Sequence, residues 1–115
     1  MLLNIIRIVI AVFTALVGVY SIVWPERIEG FTGLKADSPR ATSESRAVMG
    51  GVFVALALAP LVFRRMEALQ VLGLTYAVIA IVRLAAIYVD GAQMRSNWVS
   101  LGSEVVMAVL LLIGW

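Results

Sequence analysis

Four apolar stretches, each about as long as a membrane-spanning helix, occupy most of the 115 residues. A helix that crosses the roughly 30 Å hydrocarbon core of a bilayer needs about 20 consecutive apolar residues. The four stretches cover residues 2–23, 46–63, 68–89 and 97–115. Because unpaired backbone groups cannot face lipid, helices are the only open-chain structure that can cross it. We therefore predict an all-α fold, an integral membrane four-helix bundle, as a single domain of residues 1–115.

The composition supports a membrane location and excludes several kinds of chemistry. Hydrophobic residues make up 63% of the chain and charged residues 14%, with a mean hydropathy of +1.04, whereas soluble domains carry about 45–50% and about 25%. The absence of Cys and His excludes thiolate nucleophiles, histidine-ligated haem and the usual zinc sites. We predict no catalytic residues, no metal and no cofactor. The formal charge of +2 is too small to indicate a nucleic-acid partner.

The three connections between these stretches differ in length and polarity. The first, residues 24–45, is long and polar, and Pro25 occupies a possible first helical position within it. We predict a short interfacial helix there. The other two connections, residues 64–67 and 90–96, are short. Short connections make helices two and three, and helices three and four, antiparallel neighbours.

The start of the second helix has two interpretations. Ser43 would cap a helix that begins near residue 46, with Glu44 favourably placed in its first turn. Ser38, which is followed by Pro39, would instead cap an earlier start. The sequence alone leaves both starts open.

Small residues line one face of the second helix. Ala47, Gly51, Ala55 and Ala59 recur at four-residue intervals, and Gly50 widens this smooth surface. Small residues let helix backbones approach closely in lipid, where apolar side chains gain little from association. We predict that this face packs within the bundle; the alternative is a seam between two copies of the chain.

Charged residues inside the predicted spans are few, and each costs roughly 2.5–3.5 kcal/mol at the centre of a membrane helix. Arg83 precedes Asp90 on the third helix by about 10 Å, at a rise of 1.5 Å per residue. Glu104 follows Asn97 on the fourth helix by nearly the same length. Since the two helices are antiparallel neighbours, we predict an ion pair between Arg83 and Glu104.

Other polar residues are predicted to join this pair in one leaflet. The cluster consists of Glu44, Arg46, Arg83 and Glu104, with Tyr76, Asn97 and Ser100 as supporting residues. Helical spacing places Tyr76 and Arg83 on one face of the third helix. It also places Asn97, Ser100 and Glu104 on one face of the fourth helix. In one interpretation the charges neutralise one another and fix the helix register. In the other they form the polar end of a pocket for an amphiphile with an anionic or hydroxylated head group, which Arg would bind.

The sequence also resembles a known family. The spacing Glu-x-Arg-x-x-x-Gly-Gly over residues 44–51, followed by a single Arg83 in the third helix and a single Glu104 in the fourth, resembles the uncharacterised bacterial membrane family called domain of unknown function 4345. The resemblance covers almost the whole chain. It implies a small bacterial inner-membrane protein of four helices, and it implies no established activity.

We expect from these residues a non-enzymatic integral membrane protein that binds a lipid-like or quinone-like amphiphile, or that acts as an accessory subunit of a larger membrane complex. Its expected partners are membrane lipids and either a homo-oligomer or a larger complex. The alternative is a small oligomeric proton-coupled transporter, similar in length to the small multidrug resistance transporters. Those proteins carry an essential acid in helix one, whereas residues 2–23 contain none. Glu104 would have to replace that acid, and Arg83 beside it would repel a cationic drug.

The expected location is the cell inner membrane, with several passes through it. Cytoplasmic loops of membrane proteins carry an excess of Lys and Arg. One side of the predicted bundle carries Arg27, Lys35, Arg40 and Arg95, and the other carries Arg7, Arg64, Arg65 and the amino terminus. The two sides are nearly balanced, and we predict both termini in the cytoplasm.

Overall fold

A computed structural model describes residues 1–114, and these residues contain helices and no strand. The helices are α1 (Leu2–Val23), α2 (Glu29–Thr32), α3 (Pro39–Phe63), α4 (Glu67–Val89) and α5 (Arg95–Leu112). The prediction of an all-α fold is confirmed. Trp115, the predicted end of the last helix, lies outside the described residues.

Three of these helices, α1, α3 and α4, are long and apolar enough to cross a membrane. They contain 22, 25 and 23 residues, which corresponds to about 33–38 Å at 1.5 Å per residue. Helix α5 has 18 residues and opens with the polar sequence Arg95–Asn97, and it is not among the three. The structure therefore agrees with a membrane protein, as the composition predicted.

Helix α3 begins at the earlier of its two predicted starts. The Ser38 hydroxyl oxygen accepts a hydrogen bond from the Ala41 backbone N–H at 3.1 Å, and Pro39 is the first helical residue. Such a cap satisfies one of the donors that a helix leaves unpaired at its start. Ser43 is already inside the helix, where its hydroxyl donates to the Arg40 carbonyl at 2.9 Å.

Helix α3 is also irregular along its length. It is α-helical over Pro39–Glu44, π-helical over Ser45–Val52 and α-helical again over Phe53–Phe63, with Pro60 in the last part. A π-helical stretch inserts extra residues per turn and so rotates the faces that follow it. The face on which a side chain lies therefore departs from the regular 3.6-residue period in this helix.

The first connection contains a short helix of four residues. A 3₁₀ turn at Pro25–Arg27 leads into α2, and α2 ends at Gly33, whose φ of +77° is left-handed. Glycine adopts this conformation without steric cost. Ile28, between the two turns, is fully buried. Ile28 thus anchors this connection, whereas α2 itself has no buried residue, and its position at a membrane surface stays a prediction.

The long helices pack as two pairs, α1 with α3 and α4 with α5, and the pairs meet at one end of the molecule. The core at this end consists of Ile10, Ala11, Leu69, Leu72, Tyr76, Ala108 and Leu111. These residues come from the first half of α1, the first half of α4 and the end of α5. Leu56 of α3 packs against them.

Towards the other end, the first half of α3 packs on α1. A Cβ atom added at Gly18 would lie 2.8 Å from the Gly50 carbonyl oxygen and 2.9 Å from the Val54 nitrogen, which is closer than real Cβ atoms come. The two backbones are therefore in direct contact at these glycines. This arrangement places the start of α3 beside α1, whereas the second half of α4 has α5 as its partner.

Candidate functional site

Arg83 of α4 and Glu104 of α5 form the ion pair that their matched depths predict. Arg83 Nε donates to both carboxylate oxygens of Glu104, at 2.6 Å to Oε1 and 3.0 Å to Oε2. The Glu104 side chain is only 8% exposed, whereas the Arg83 side chain is 32% exposed. The carboxylate is thus enclosed and the guanidinium is accessible from outside.

The position of each residue follows from the face it occupies on its helix. Arg83 lies between Ala80 and Ile87 on the inward face of α4, and both of these neighbours are buried. Glu104 shares the inward face of α5 with the buried Ala108 and Leu111. Residues three or four apart lie on the same side of a helix, so the apolar neighbours fix the orientation of both charged residues.

Asn97 extends the pair towards the end of the helices. Arg83 Nη1 donates to Asn97 Oδ1 at 3.0 Å, and Asn97 Nδ2 donates to the Ala92 carbonyl at 3.0 Å. At the same end the rings of Tyr88 and Trp98 meet edge to face, with centroids 6.1 Å apart. The α4–α5 connection is therefore tied to the guanidinium through one amide side chain. We call Arg83, Glu104 and Asn97 the guanidinium cluster.

The guanidinium keeps hydrogen-bond donors that nothing in the described chain uses. Five N–H groups are present on an arginine side chain. Nε uses its single N–H on Glu104 and Nη1 uses one of its two on Asn97. One N–H on Nη1 and both on Nη2 therefore have no acceptor among residues 1–114. The guanidinium cluster is neutral overall, but it presents donors outward and keeps its acceptors inside.

Two of the predicted supporting residues have other roles. The Tyr76 hydroxyl lies 2.5 Å from the Thr14 hydroxyl of α1, and Thr14 also donates to the Ile10 carbonyl at 2.9 Å. Tyr76 thus joins α1 to α4 instead of binding the ion pair. The Ser100 carbonyl accepts a hydrogen bond from the Ser103 hydroxyl of the same helix at 2.8 Å. Sequence reasoning missed Thr14, and the signal available was a hydroxyl residue in the middle of an apolar stretch.

The structure does not bring Glu44 and Arg46 to the ion pair. Glu44 pairs with Arg40 at 3.3 Å on the exposed surface of α3, and Arg46 is exposed. Arg46 lines a shallow surface groove of about 610 Å³ together with Ala36, Asp37, Ser38, Pro39, Thr42 and Ser43. The reason is that α3 packs on α1 at this end, so its first turns belong to the other helix pair.

The small-residue face of α3 contributes to packing mainly at one position. Gly50 is buried against Ile22 and lies close to the Gly18 carbonyl. Ala47 and Ala55 are exposed, and Ala59 is half-buried. A Cβ atom added at Gly51 would meet only the Arg46 carbonyl of its own helix, at 4.0 Å. The four-residue stripe therefore points mostly away from the rest of the chain.

A second arginine, Arg7 of α1, is buried at the opposite end, where the sequence suggested only a flanking charge. Its side chain donates from Nε to the Leu110 carbonyl at 3.1 Å, from Nη1 to Asn4 Oδ1 at 3.1 Å and from Nη2 to the Ile113 carbonyl. Arg7 is 3% exposed. It satisfies carbonyls that the end of α5 leaves unpaired, and its charge is favourable there.

Comparison with known proteins gives a match to a protein family. The family model described as Domain of unknown function (DUF4345) matches residues 2–115. No curated protein and no solved structure matches the chain. The description of the family assigns no activity, so a function has to be inferred from the guanidinium cluster and its surroundings.

Proposed function

We propose that this chain, which belongs to the family described as Domain of unknown function (DUF4345), is a non-enzymatic integral membrane protein that binds a lipid-like or quinone-like amphiphile at Arg83. The observation that carries the proposal is the guanidinium cluster itself. Its arginine is held by Glu104 and Asn97 and still has donors without acceptors among residues 1–114. Polar residues at membrane depth are costly, and such residues commonly mark ligand sites.

The proposal includes α5 as a fourth span beside α1, α3 and α4. Its 18 residues correspond to about 27 Å, close to the thickness of the hydrocarbon core. Glu104 is enclosed against α4, while Val105, Val106 and Val109 are exposed. The outward surface of the second half of α5 is therefore aliphatic, as a lipid-facing segment requires.

The surroundings of Arg83 suit a molecule with a polar head and an apolar tail. Val82 and Leu84, which flank Arg83 in the sequence, and Val105 and Val106, which follow Glu104, are exposed aliphatic side chains. A head group that accepts hydrogen bonds from Arg83 would leave its tail against such side chains in the hydrocarbon region. An amphiphile satisfies both requirements at once.

The test is to identify what the purified protein carries. Native mass spectrometry would compare the wild type with Arg83→Gln combined with Glu104→Gln, which removes both charges together and leaves no unpaired ion. Arg46→Gln is the matched control, because it removes an arginine that lies away from the cluster. We expect an amphiphile adduct on the wild type and the control that the double variant loses. Identical adducts on all three proteins would refute binding at Arg83.

A role as an accessory subunit of a larger complex, or as a homo-oligomer, is supported by a different observation. Only 6% of the residues in the most apolar part of α3 are buried inside the chain, against 28% for α1 and for α4. The natural chain has no Cys, so Ala55→Cys on the exposed face and Ala57→Cys on the buried face make a matched pair. Labelling of the new thiol with benzophenone-4-maleimide, followed by illumination in native membranes, should cross-link the first and not the second if α3 contacts a protein, and an Ala55→Cys protein that stays monomeric would refute this role.

Proton-coupled transport is the alternative. It would rely on Glu104, but this carboxylate is 8% exposed and already paired with Arg83, which supports amphiphile binding more than cation exchange. Proton-dependent uptake of ethidium into liposomes that contain the protein would favour transport. The same liposomes with Glu104→Gln are the control.

The proposed location is the cell inner membrane, with both termini in the cytoplasm. Arg7, near the start of α1, contacts the Leu110 and Ile113 carbonyls at the end of α5, which supports placing the two termini on one side. A compartment-sensitive reporter fused after the last residue tests this orientation. Reporter activity on the outer side would reverse it.

A further inference from the structure

The accessible groups of the guanidinium cluster restrict the chemistry of its ligand. We infer that the site takes an amphiphile with an uncharged, hydrogen-bond-accepting head, such as the carbonyl of a quinone, in preference to an anionic phospholipid. This inference rests on the proposed function, since it names the class of molecule that the same site binds.

The first step is the charge balance. Glu104 contacts the guanidinium of Arg83 with both oxygens, so the positive charge already has its counter-charge within the site. A phospholipid monoanion would give the cluster a net charge of −1 at membrane depth, where an uncompensated charge is costly. An uncharged head leaves the cluster neutral.

The second step is the direction of the hydrogen bonds. The Glu104 side chain is 8% exposed and the Arg83 side chain 32%, so a molecule that arrives from the bilayer meets donors and not the carboxylate acceptors. The unused N–H groups lie on Nη1 and Nη2, because Nε is taken by Glu104. One carbonyl oxygen has two lone pairs and can accept from two such N–H groups.

The other buried arginine provides an internal comparison. All three nitrogens of Arg7 donate to acceptors within the chain, namely the Leu110 and Ile113 carbonyls and Asn4. Arg7 is also almost completely enclosed. Arg83 differs on both counts, since Nη2 has no acceptor among residues 1–114 and its side chain is accessible. Of the two arginines, Arg83 alone is arranged to donate to an external molecule.

The experiment measures the binding of two probes to the full chain in detergent micelles. Ubiquinone-2 has an uncharged carbonyl head, and dioleoylphosphatidylglycerol has an anionic head. Native mass spectrometry would measure the dissociation constant of each probe for the wild type and for Arg83→Lys, which keeps a cation for Glu104 but loses the Nη fork. Arg46→Gln again serves as the control.

We expect Arg83→Lys to weaken ubiquinone-2 binding at least about tenfold, the effect of losing one hydrogen bond to a charged donor. Phosphatidylglycerol binding should be the same in all proteins. If the substitution weakens phosphatidylglycerol and not ubiquinone-2, the head group is anionic; this inference then fails while amphiphile binding at Arg83 stands. If it weakens neither probe, the proposed function fails as well. Should Arg83→Lys not fold, the variant Arg83→Gln with Glu104→Gln replaces it, and its binding of the two probes is interpreted in the same way.

Discussion

Arg83 Nε lies 2.6 Å from Glu104 Oε1 and 3.0 Å from Glu104 Oε2, so one N–H of α4 holds both carboxylate oxygens of α5. Few polar contacts in the described chain join these two helices at this depth. The pair therefore sets the register of α4 against α5, and this role is separate from the proposed binding of a ligand.

We predict that the contributions of Arg83 and Glu104 to the free energy of unfolding are strongly coupled. Arg83→Gln should lower the free energy of unfolding by about 3 kcal/mol, because it leaves the enclosed Glu104 carboxylate without a counter-charge. Arg83→Gln combined with Glu104→Gln should recover most of that loss, since two amides can pair without charge. Denaturation of the purified protein in detergent, followed by circular dichroism, measures both. Equal losses in the single and the double variant would contradict this coupling, because the unpaired carboxylate would then carry no extra cost.

The ion pair could be predicted from the sequence because it depends on few assumptions. The short connection at residues 90–96 makes α4 and α5 antiparallel, and a regular helix rises by a constant amount per residue. Equal distances from the connection then place Arg83 and Glu104 at equal depth. No knowledge of the other helices is needed.

The positions of Glu44 and Arg46 could not be predicted in the same way. The long first connection leaves the choice of neighbour for the start of α3 open, and the structure places it beside α1. The π-helical stretch Ser45–Val52 also rotates the side chains that follow it about the axis of α3. No residue pattern in the sequence predicts this stretch. Depth alone therefore predicts proximity only for helices that are already known to be neighbours.

The adjacent glycines of α3 should respond oppositely to the same substitution. Gly50→Ala should destabilise the protein by about 1–3 kcal/mol, the usual cost of overpacking, because its new Cβ would meet Ile22 and lie 3.0 Å from the Gly18 carbonyl. Gly51→Ala should be neutral or stabilising by up to about 1 kcal/mol, because Ala restricts the unfolded chain and nothing outside α3 is within 4 Å. Thermal unfolding of the two variants side by side measures the difference.

The result for Gly51→Ala also bears on assembly. If this substitution destabilises the protein in native membranes but not in dilute detergent, a partner packs on the exposed face of α3. A Gly50→Ala variant as stable as the wild type in detergent would mean that α1 does not approach α3 at Gly50.

The hydroxyl pair of Thr14 and Tyr76 should stabilise the contact between α1 and α4. Their oxygens are 2.5 Å apart, and the two residues are 1% and 5% exposed. Tyr76→Phe should cost about 1 kcal/mol, the net value of a typical hydrogen bond. A double-mutant cycle with Thr14→Val should give a coupling of about 0.6 kcal/mol, the average found between membrane helices. A coupling of zero would show that the two hydroxyls do not interact in the folded protein.

Substitution of Arg7 should loosen the end of α5 without affecting the guanidinium cluster. Arg7 donates to the Leu110 and Ile113 carbonyls, so Arg7→Gln should leave these acceptors unpaired and cost about 3 kcal/mol locally, given about 1.5–3 kcal/mol for each hydrogen bond to a charged group. Hydrogen exchange followed by mass spectrometry should show faster exchange over residues 109–114 and unchanged exchange near Asn97. The control is Arg65→Gln, because Arg65 is an exposed arginine that pairs with Glu67 in the α3–α4 connection. Uniformly faster exchange along the whole chain would instead mean that Arg7 supports the entire bundle, and unchanged exchange at residues 109–114 would mean that Arg7 does not hold the end of α5.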